Sequence, residues 1–223
     1  MYEIDFSILL EYLNEIANGI KITVFICLLS SFFAFIFGSF LFYLRQCGVK
    51  ILRKIVICFV ELYRNTPLLI QLYILYKGLP QLGIVFSPIT CGIIALSIYT
   101  GVYISENIRS GKNSIQPEQK NAALALGLSP FQTFLYVIYP QALRHSILPL
   151  CSQFINLIKN SALVSFISVT DIFYVVYQGI ANDFRIIEFI VLGVCLYSFA
   201  TLSVSLVTNL IEAKLKLKVS EIW

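Results

Sequence analysis

Residues 22–44, ITVFICLLSSFFAFIFGSFLFYL, contain no Asp, Glu, Lys, Arg or His. As a helix, a run of this length measures about 35 Å, more than the roughly 30 Å hydrocarbon core of a bilayer. Inside lipid a backbone must satisfy its own N–H and C=O groups, so a run of this kind is confined to a spanning helix. Residues 189–211 are a second run with no Asp, Glu, Lys, Arg or His. Only 13% of the chain is charged, against roughly 25% in a typical soluble domain, and the mean hydropathy is +0.84. The reading that follows is an all-α polytopic membrane protein. The first run starts too far from Met1, is too long and lacks a basic leader, so a cleaved signal peptide is not expected.

The net charge of +4 is segregated along the chain rather than gathered into one basic surface, which argues against a nucleic-acid partner. Glu3, Asp5, Glu11 and Glu15 precede the first run with no Lys or Arg before Lys21, whereas Arg45, Lys50, Arg53 and Lys54 follow it with no acid. The positive-inside rule then puts the N-terminus outside and residues 45–54 in the cytoplasm, and Lys214, Lys216 and Lys218 put the C-terminus inside. Opposite sides require an odd number of crossings. Five are expected, at about 20–44, 55–79, 89–108, 150–176 and 187–211, in a single transmembrane domain over 1–223 with a cytoplasmic segment at about 109–149.

The six cysteines are scattered through apolar stretches without a CxxC pair, and His145 is the only histidine. Apolar filling is the expectation for the cysteines, an exposed or capping loop position is the expectation for His145, and no metal site is expected. No nucleophile-base-acid set is present, so no catalytic residue is assigned. Gly111-Lys112 is followed by Asn113 and preceded by Glu106 where a phosphate-binding loop needs its first glycine, so the chain is not expected to hydrolyse ATP itself.

Charges inside spans are costly, about 2.5–3.5 kcal/mol each at the centre of a helix, and call for partners or a purpose. Glu61 with Arg64, and Glu106 with Arg109, fall three residues apart on one helical face and are expected to pair locally. Pro67 should kink the second span. Glu61, Arg64, Thr66, Pro67, Glu106 and Arg109 are accordingly taken as structural or gating positions. On an unbroken fourth span Lys159 and Asp171 would lie about 18 Å apart, too far to pair. Lys159, Asn160, Ser161, Ser165 and Asp171 give that span an unusual supply of polar groups, which fits either a water-accessible substrate pathway or polar packing between helices.

The central segment reads as helix, glycine corner, helix. Pro117 suits a first helical position, Gly127 the left-handed residue past a helix end, and Ser129 with Gln132 a capping box around Pro130; Pro140 is expected to bound the second helix. Helices of about ten residues are marginal alone and need a docking surface. The membrane interface, a protein partner and the chain's own spans are the three candidates, and Ala122, Ala123 and Ala125 keep the helix slim enough for a close approach.

The run Gln119-x-Asn121-Ala122-Ala123-x3-Gly127, with YPQALRHSILP at 139–149, resembles the EAA loop of ABC importer permeases. RNTPLLIQLYILYKGLP (64–80), GVYISENIRSG (101–111) and KNSALVSFISVTDI (159–172) are similar, in the same order, to stretches of the polar amino-acid branch. The resemblance implies a coupling helix seated on a cytoplasmic ATPase, with roles for Gln119, Asn121, Ala122, Ala123 and Gly127. It departs at Asn121, where the pattern has Glu, and at Glu118, where it usually has Gly. It further implies two permease chains, identical or related, a pair of ATPases carrying ATP and Mg, an extracytoplasmic solute-binding protein, an amino-acid substrate and a bacterial inner-membrane location. No cofactor is expected in this chain. Five spans are also too thin a bundle to enclose a pathway alone. The competing expectation is an ion-coupled secondary transporter of small polar solutes using Glu61 and Asp171 as proton sites, which would show internal symmetry and would have no use for the cytoplasmic double helix.

Overall fold

A computed structural model describes residues 4–220, with side chains to residue 210. Glu3, Lys214, Lys216 and Lys218 lie outside the described side chains, and so do the parts of the topology argument that rest on them. The described residues are mostly helical, without a strand. A short α1 (Ile8–Glu11) leads into α2 (Leu13–Gln46), which contains the first uncharged run; α3 (Lys50–Arg64) and α4 (Leu68–Tyr73) follow, and a π turn and a 3-10 turn end at Leu82. Then come α5 (Pro88–Lys112), α6 (Pro117–Ala125), α7 (Pro130–Gln132), α8 (Tyr139–Ser161), α9 (Ile172–Asp183) and α10 (Ile186–Ser220). Four stretches are long and apolar enough to cross a membrane, Leu13–Gln46, Pro88–Lys112, Pro130–Ile167 and Ile186–Leu210, or five if α3 and the α4 segment form one broken span.

Several helices differ from the sequence expectation. The second span is broken, not kinked: α3 stops at Arg64, and Pro67 sits in an extended conformation (φ −61°, ψ 135°) before α4 starts. The extended backbone at Pro67 stops the helix and restarts it, while Thr66 Oγ1 donates to the Leu62 carbonyl at 3.0 Å and finishes the first piece. The helix expected to carry the fourth span begins well before residue 150. Helix runs from Pro130 through a π segment (Thr133–Ile138) into α8, so Pro140 lies inside the first turn of α8 rather than bounding a helix. The widened π turn immediately before Pro140 makes room for its ring against the preceding carbonyls. His145 is accordingly on a helix, exposed, instead of in a loop. At the other end this span stops at Ile167, because Ser168 takes a left-handed conformation (φ 66°). Lys159 and Asp171 therefore do not share a helix.

The chain divides into two compact units, one made of Met1–Phe32, Pro67–Leu96 and Ile155–Leu206, the other of Phe33–Thr66, Ser97–Phe154 and Val207–Trp223. In the first, Phe189 is fully buried and meets the Tyr12 ring edge-on at 5.0 Å, with Gly179 lying directly against its face. Tyr12 Oη donates to Asp183 at 2.5 Å, and the Asp5 N–H donates to the buried Glu188 at 3.0 Å, which also pairs with Arg185 at 3.5 Å.

In the second unit one cluster joins Ala34 and Phe42 of α2, Ile104 and Ile108 of α5, and Ala142 and Leu150 of α8; another joins Leu41, Val56, Val60 and Val102. Small residues let these helices approach. A Cβ on Gly38 would lie 2.5 Å from the Gly101 carbonyl oxygen, and one on Gly111 would lie 2.5 Å from that of Ala142. Beside Gly111, Ser146 Oγ lies 2.8 Å from the Asn107 carbonyl of α5 and 2.7 Å from the Ala142 carbonyl of its own helix.

Candidate functional site

The central segment is an exposed corner with both helix ends closed. At the end of α6, Gly127 takes φ 85°, its N–H donates to the Leu124 carbonyl at 3.0 Å and the Leu128 N–H to that of Ala123 at 3.2 Å. These two bonds make a complete Schellman motif. Ser129 then accepts from the Gln132 N–H at 3.2 Å while Gln132 Oε1 accepts from the Ser129 N–H at 2.9 Å, the reciprocal capping box. The turn between α6 and α7 is thus fixed by four hydrogen bonds between Ala123 and Gln132.

Ala123 is buried, whereas Gln119, Asn121, Ala122 and Gly127 are exposed. Gln119 Oε1 accepts from Gln141 Nε2 at 3.3 Å, which ties α6 to α8. Asn121 lines a cleft of about 500 Å3 with Lys112, Lys120 and Ile138. Leu126 is 82% exposed at the tip, and Leu124 and Phe131 are exposed beside it. Phe131 and Phe134 rest on Tyr43, with ring centroids 5.8 and 5.1 Å apart, and Tyr139 Oη donates to Ser39 at 2.7 Å, so α2 carries the base of the corner.

Glu106 is the centre of an ionic network. Arg109 donates to it twice, at 2.8 and 3.0 Å, Arg45 of α2 pairs with its other oxygen, and Arg64 of α3 lies 3.8 Å away. Glu61 meets Arg64 at 3.6 Å, and the Arg64 guanidinium lies 5.8 Å from the centre of the Tyr103 ring. Both local pairs expected at i,i+3 are present. Sequence spacing missed the tertiary ones: the Arg45 and Glu106 side chains are only 8% and 12% exposed, and no local pattern announces partners 61 residues apart.

The polar set of the fourth span is not brought together. Lys159 is exposed, Asn160 is half-buried, and Ser161 and Ser165 donate back to their own helix, to the Ile158 and Ala162 carbonyls. Asp171 is fully buried and caps α9: Oδ1 accepts from the Tyr174 N–H at 2.9 Å and Oδ2 from Tyr197 Oη at 3.1 Å. Gly19 and Thr23 of α2 complete the surroundings, Thr23 Oγ1 accepting from the Ile172 N–H at 3.1 Å. Both Asp171 oxygens are thus engaged by groups of the chain. A signal for the cap was present in the sequence, an Asp before the apolar run IFYVV, and Tyr197 had none. Among the described residues no group of His, Cys, Asp or Glu is arranged to hold a metal.

A helical chain with several membrane-length stretches, packed through glycines and carrying a doubly capped exposed corner, has the build of a polytopic membrane protein. Residues 22–217 match the family of binding-protein-dependent transport system inner membrane components, and the chain belongs to that family. It is 31% identical over 207 residues to the probable glutamine ABC transporter permease GlnP of Bacillus subtilis, covering 92% of this chain and 95% of that one. It is 31% identical over 217 residues to the arginine transport system permease ArtQ of the same organism, covering 96% and 98%. The glutamine transport system permease GlnP of Escherichia coli is 30% identical over 217 residues, covering 96% and 99%.

Among solved structures, the crystal structure of an amino acid ABC transporter with histidines superposes with a TM-score of 0.86 at 29% identity, over 96% of this chain and 100% of that one. An inward-facing form of the MetNI methionine ABC transporter shares the fold, with a TM-score of 0.72 at 19% identity over 90% and 98% of the two chains. The family consists of transport permease subunits, so the chain is not an enzyme in itself.

Proposed function

We propose that this chain is the permease subunit of an ATP-driven importer for polar amino acids, and that the α6–α7 corner docks on a cytoplasmic ATPase carrying ATP and Mg. The observation that carries this is the corner itself. Two short helices are fixed by a Schellman motif and a capping box, yet they hold Leu126, Leu124 and Phe131 out in the open. Capping of this quality followed by exposed apolar tips fits a rigid projection whose burial is completed by a partner. The polar amino-acid class is supported by relatives named for glutamine, arginine and cystine, each covering most of this chain.

In this reading Gln119, Asn121, Ala122, Ala123 and Gly127 form the coupling surface. The segment at about 109–149 and the C-terminus are cytoplasmic, the N-terminus is outside, and the chain is one domain of the inner membrane. Two permease chains pair with two ATPases and receive substrate from a solute-binding protein. Lys159 and Asn160, which retain exposed or half-exposed polar groups, are the pathway residues this reading favours, with Ser161 and Ser165 beside them. Glu61, Arg64, Glu106 and Arg109 form an ionic network and Thr66 and Pro67 mark the break after α3; these are the structural or gating positions of this reading.

The test is co-expression of the chain with an ABC ATPase and an amino-acid-binding protein encoded in the same genome. Co-purification and nucleotide-dependent uptake in proteoliposomes are expected. Uptake by the chain alone under a proton gradient, without nucleotide, would sink the proposal in favour of a secondary transporter.

A further inference from the structure

The last turn of α2, the first turn of α3 and the last turn of α5 enclose a cleft of about 280 Å3 lined by Arg45, Gln46, Arg53, Ile57, Arg109 and Lys112. Four cations face one space. The carboxylate beside them is Glu106, and its oxygens are engaged by Arg45 and Arg109. Arg53 has no acidic partner among the described residues, and Lys112 donates to a neutral group, Gln46 Oε1, at 2.7 Å. Like charges held together with little counter-charge repel one another, so the cleft favours an anion.

Helix α3 indicates which kind of anion the cleft suits. One face packs through Val56 and Val60, a second carries Lys50, Arg53, Lys54 and Arg64, and a third exposes Ile51, Ile55 and Leu62 at 73%, 59% and 59%. An exposed apolar row beside a basic face is the pattern of a helix in contact with acyl chains and headgroups together. Basic pockets at the ends of spans suit the headgroups of anionic lipids.

We propose that this cleft binds a phosphate group, presented by an anionic phospholipid whose acyl chains lie along the Ile51–Ile55–Leu62 row. Arg53 and Lys112 supply the uncompensated charge, Arg45 and Arg109 add donors from the Glu106 network, and Asn113 at the rim adds a neutral amide.

The test uses the full chain, purified and stripped of lipid in detergent and titrated with dioleoyl phosphatidylglycerol, dioleoyl phosphatidylcholine or inorganic phosphate, with native mass spectrometry counting bound molecules. Phosphatidylglycerol is expected to bind more tightly than phosphatidylcholine. Arg53→Gln is expected to weaken it about five-fold and Arg53→Gln with Lys112→Gln about thirty-fold, from roughly 1 kcal/mol per basic residue. Lys50→Gln with Lys54→Gln removes the same charge outside the cleft and is expected to have a smaller effect. Each variant is first checked for a monodisperse gel-filtration profile, and Arg53, exposed on the first turn of α3, is the substitution least able to disturb folding. If inorganic phosphate competes and depends on Arg53 and Lys112 while the lipid does not bind, the phosphate site stands and its source is soluble. Equal binding of both lipids with no cleft-dependent phosphate binding, or equal losses in the cleft pair and the Lys50/Lys54 pair, overturns the proposal.

Discussion

Arg45, at one end of the first uncharged run, shows how a residue can be informative twice. In the sequence it is a topological charge, one of four cations following the span. In the structure it is the most deeply placed member of the Glu106 network, and its loss leaves a carboxylate that is 12% exposed with fewer counter-charges. Removing one partner from a buried pair costs about 3 kcal/mol or more, whereas the Glu61–Arg64 pair, half-exposed, is worth less than about 1 kcal/mol. Arg45→Gln is therefore expected to lower the thermal unfolding midpoint of the detergent-purified chain well below that of Glu61→Gln; equal midpoints would contradict this ordering. Asn121 is the second instructive residue. It departs from the family pattern, and it lines a cleft with Lys112 and Lys120. A carboxylate there would face cations rather than acids. Asn121→Glu should keep or raise nucleotide-dependent uptake, and a clear loss would show that the coupling surface has been misplaced.

Gly127 and Asp171 set the behaviour of whole elements. At φ 85° a residue with a Cβ is strained by about 1–2 kcal/mol, and Asn is the best tolerated substitute. Gly127→Val should loosen the α6–α7 corner and reduce ATPase co-purification or uptake, with Gly127→Asn closer to the wild type; a Val variant as active as the parent would mean that the corner need not be rigid. Asp171 is the cap on which α9 starts. Asn caps a helix as well as Asp does, while Ala costs about 1 kcal/mol for the cap and strands the Tyr197 hydroxyl as well. Asp171→Asn should retain fold and uptake of radiolabelled Arg, Gln and Glu, and Asp171→Ala should lower stability. Selective loss of one substrate in the Asn variant would instead give Asp171 a part in recognition.

At the scale of the molecule, its exposed apolar surface is larger than a water-soluble protein would carry, from Phe25 and Leu28 on α2 to Leu202 and Leu206 on α10. Lipid covers part of it, and in the proposed assembly a second permease chain covers another part. Native mass spectrometry of the complex with its ATPase is expected to give two permease chains and two ATPases; a single permease chain per active complex would refute the paired arrangement.

The class is legible in the chain before any packing is known. An uncharged run longer than a bilayer is thick has few alternatives to a spanning helix, and caps built from Ser129, Gln132 and Gly127 are local chemistry legible within a few residues. The i,i+3 ion pairs were legible for the same reason, since helical geometry brings such residues together wherever the helix goes. Tertiary structure decided the rest. The second span breaks at Pro67, the helix after Pro130 continues past two prolines because a π turn makes room for the first of them, and Ser168 ends the fourth span early enough to make Asp171 a cap. Whether a proline or a left-handed serine bends, stops or merely interrupts a helix depends on what packs around it, and the partners of Glu106 and Asp171 come from residues distant in the chain. Propensity and spacing describe one element at a time, and these outcomes belong to several elements at once.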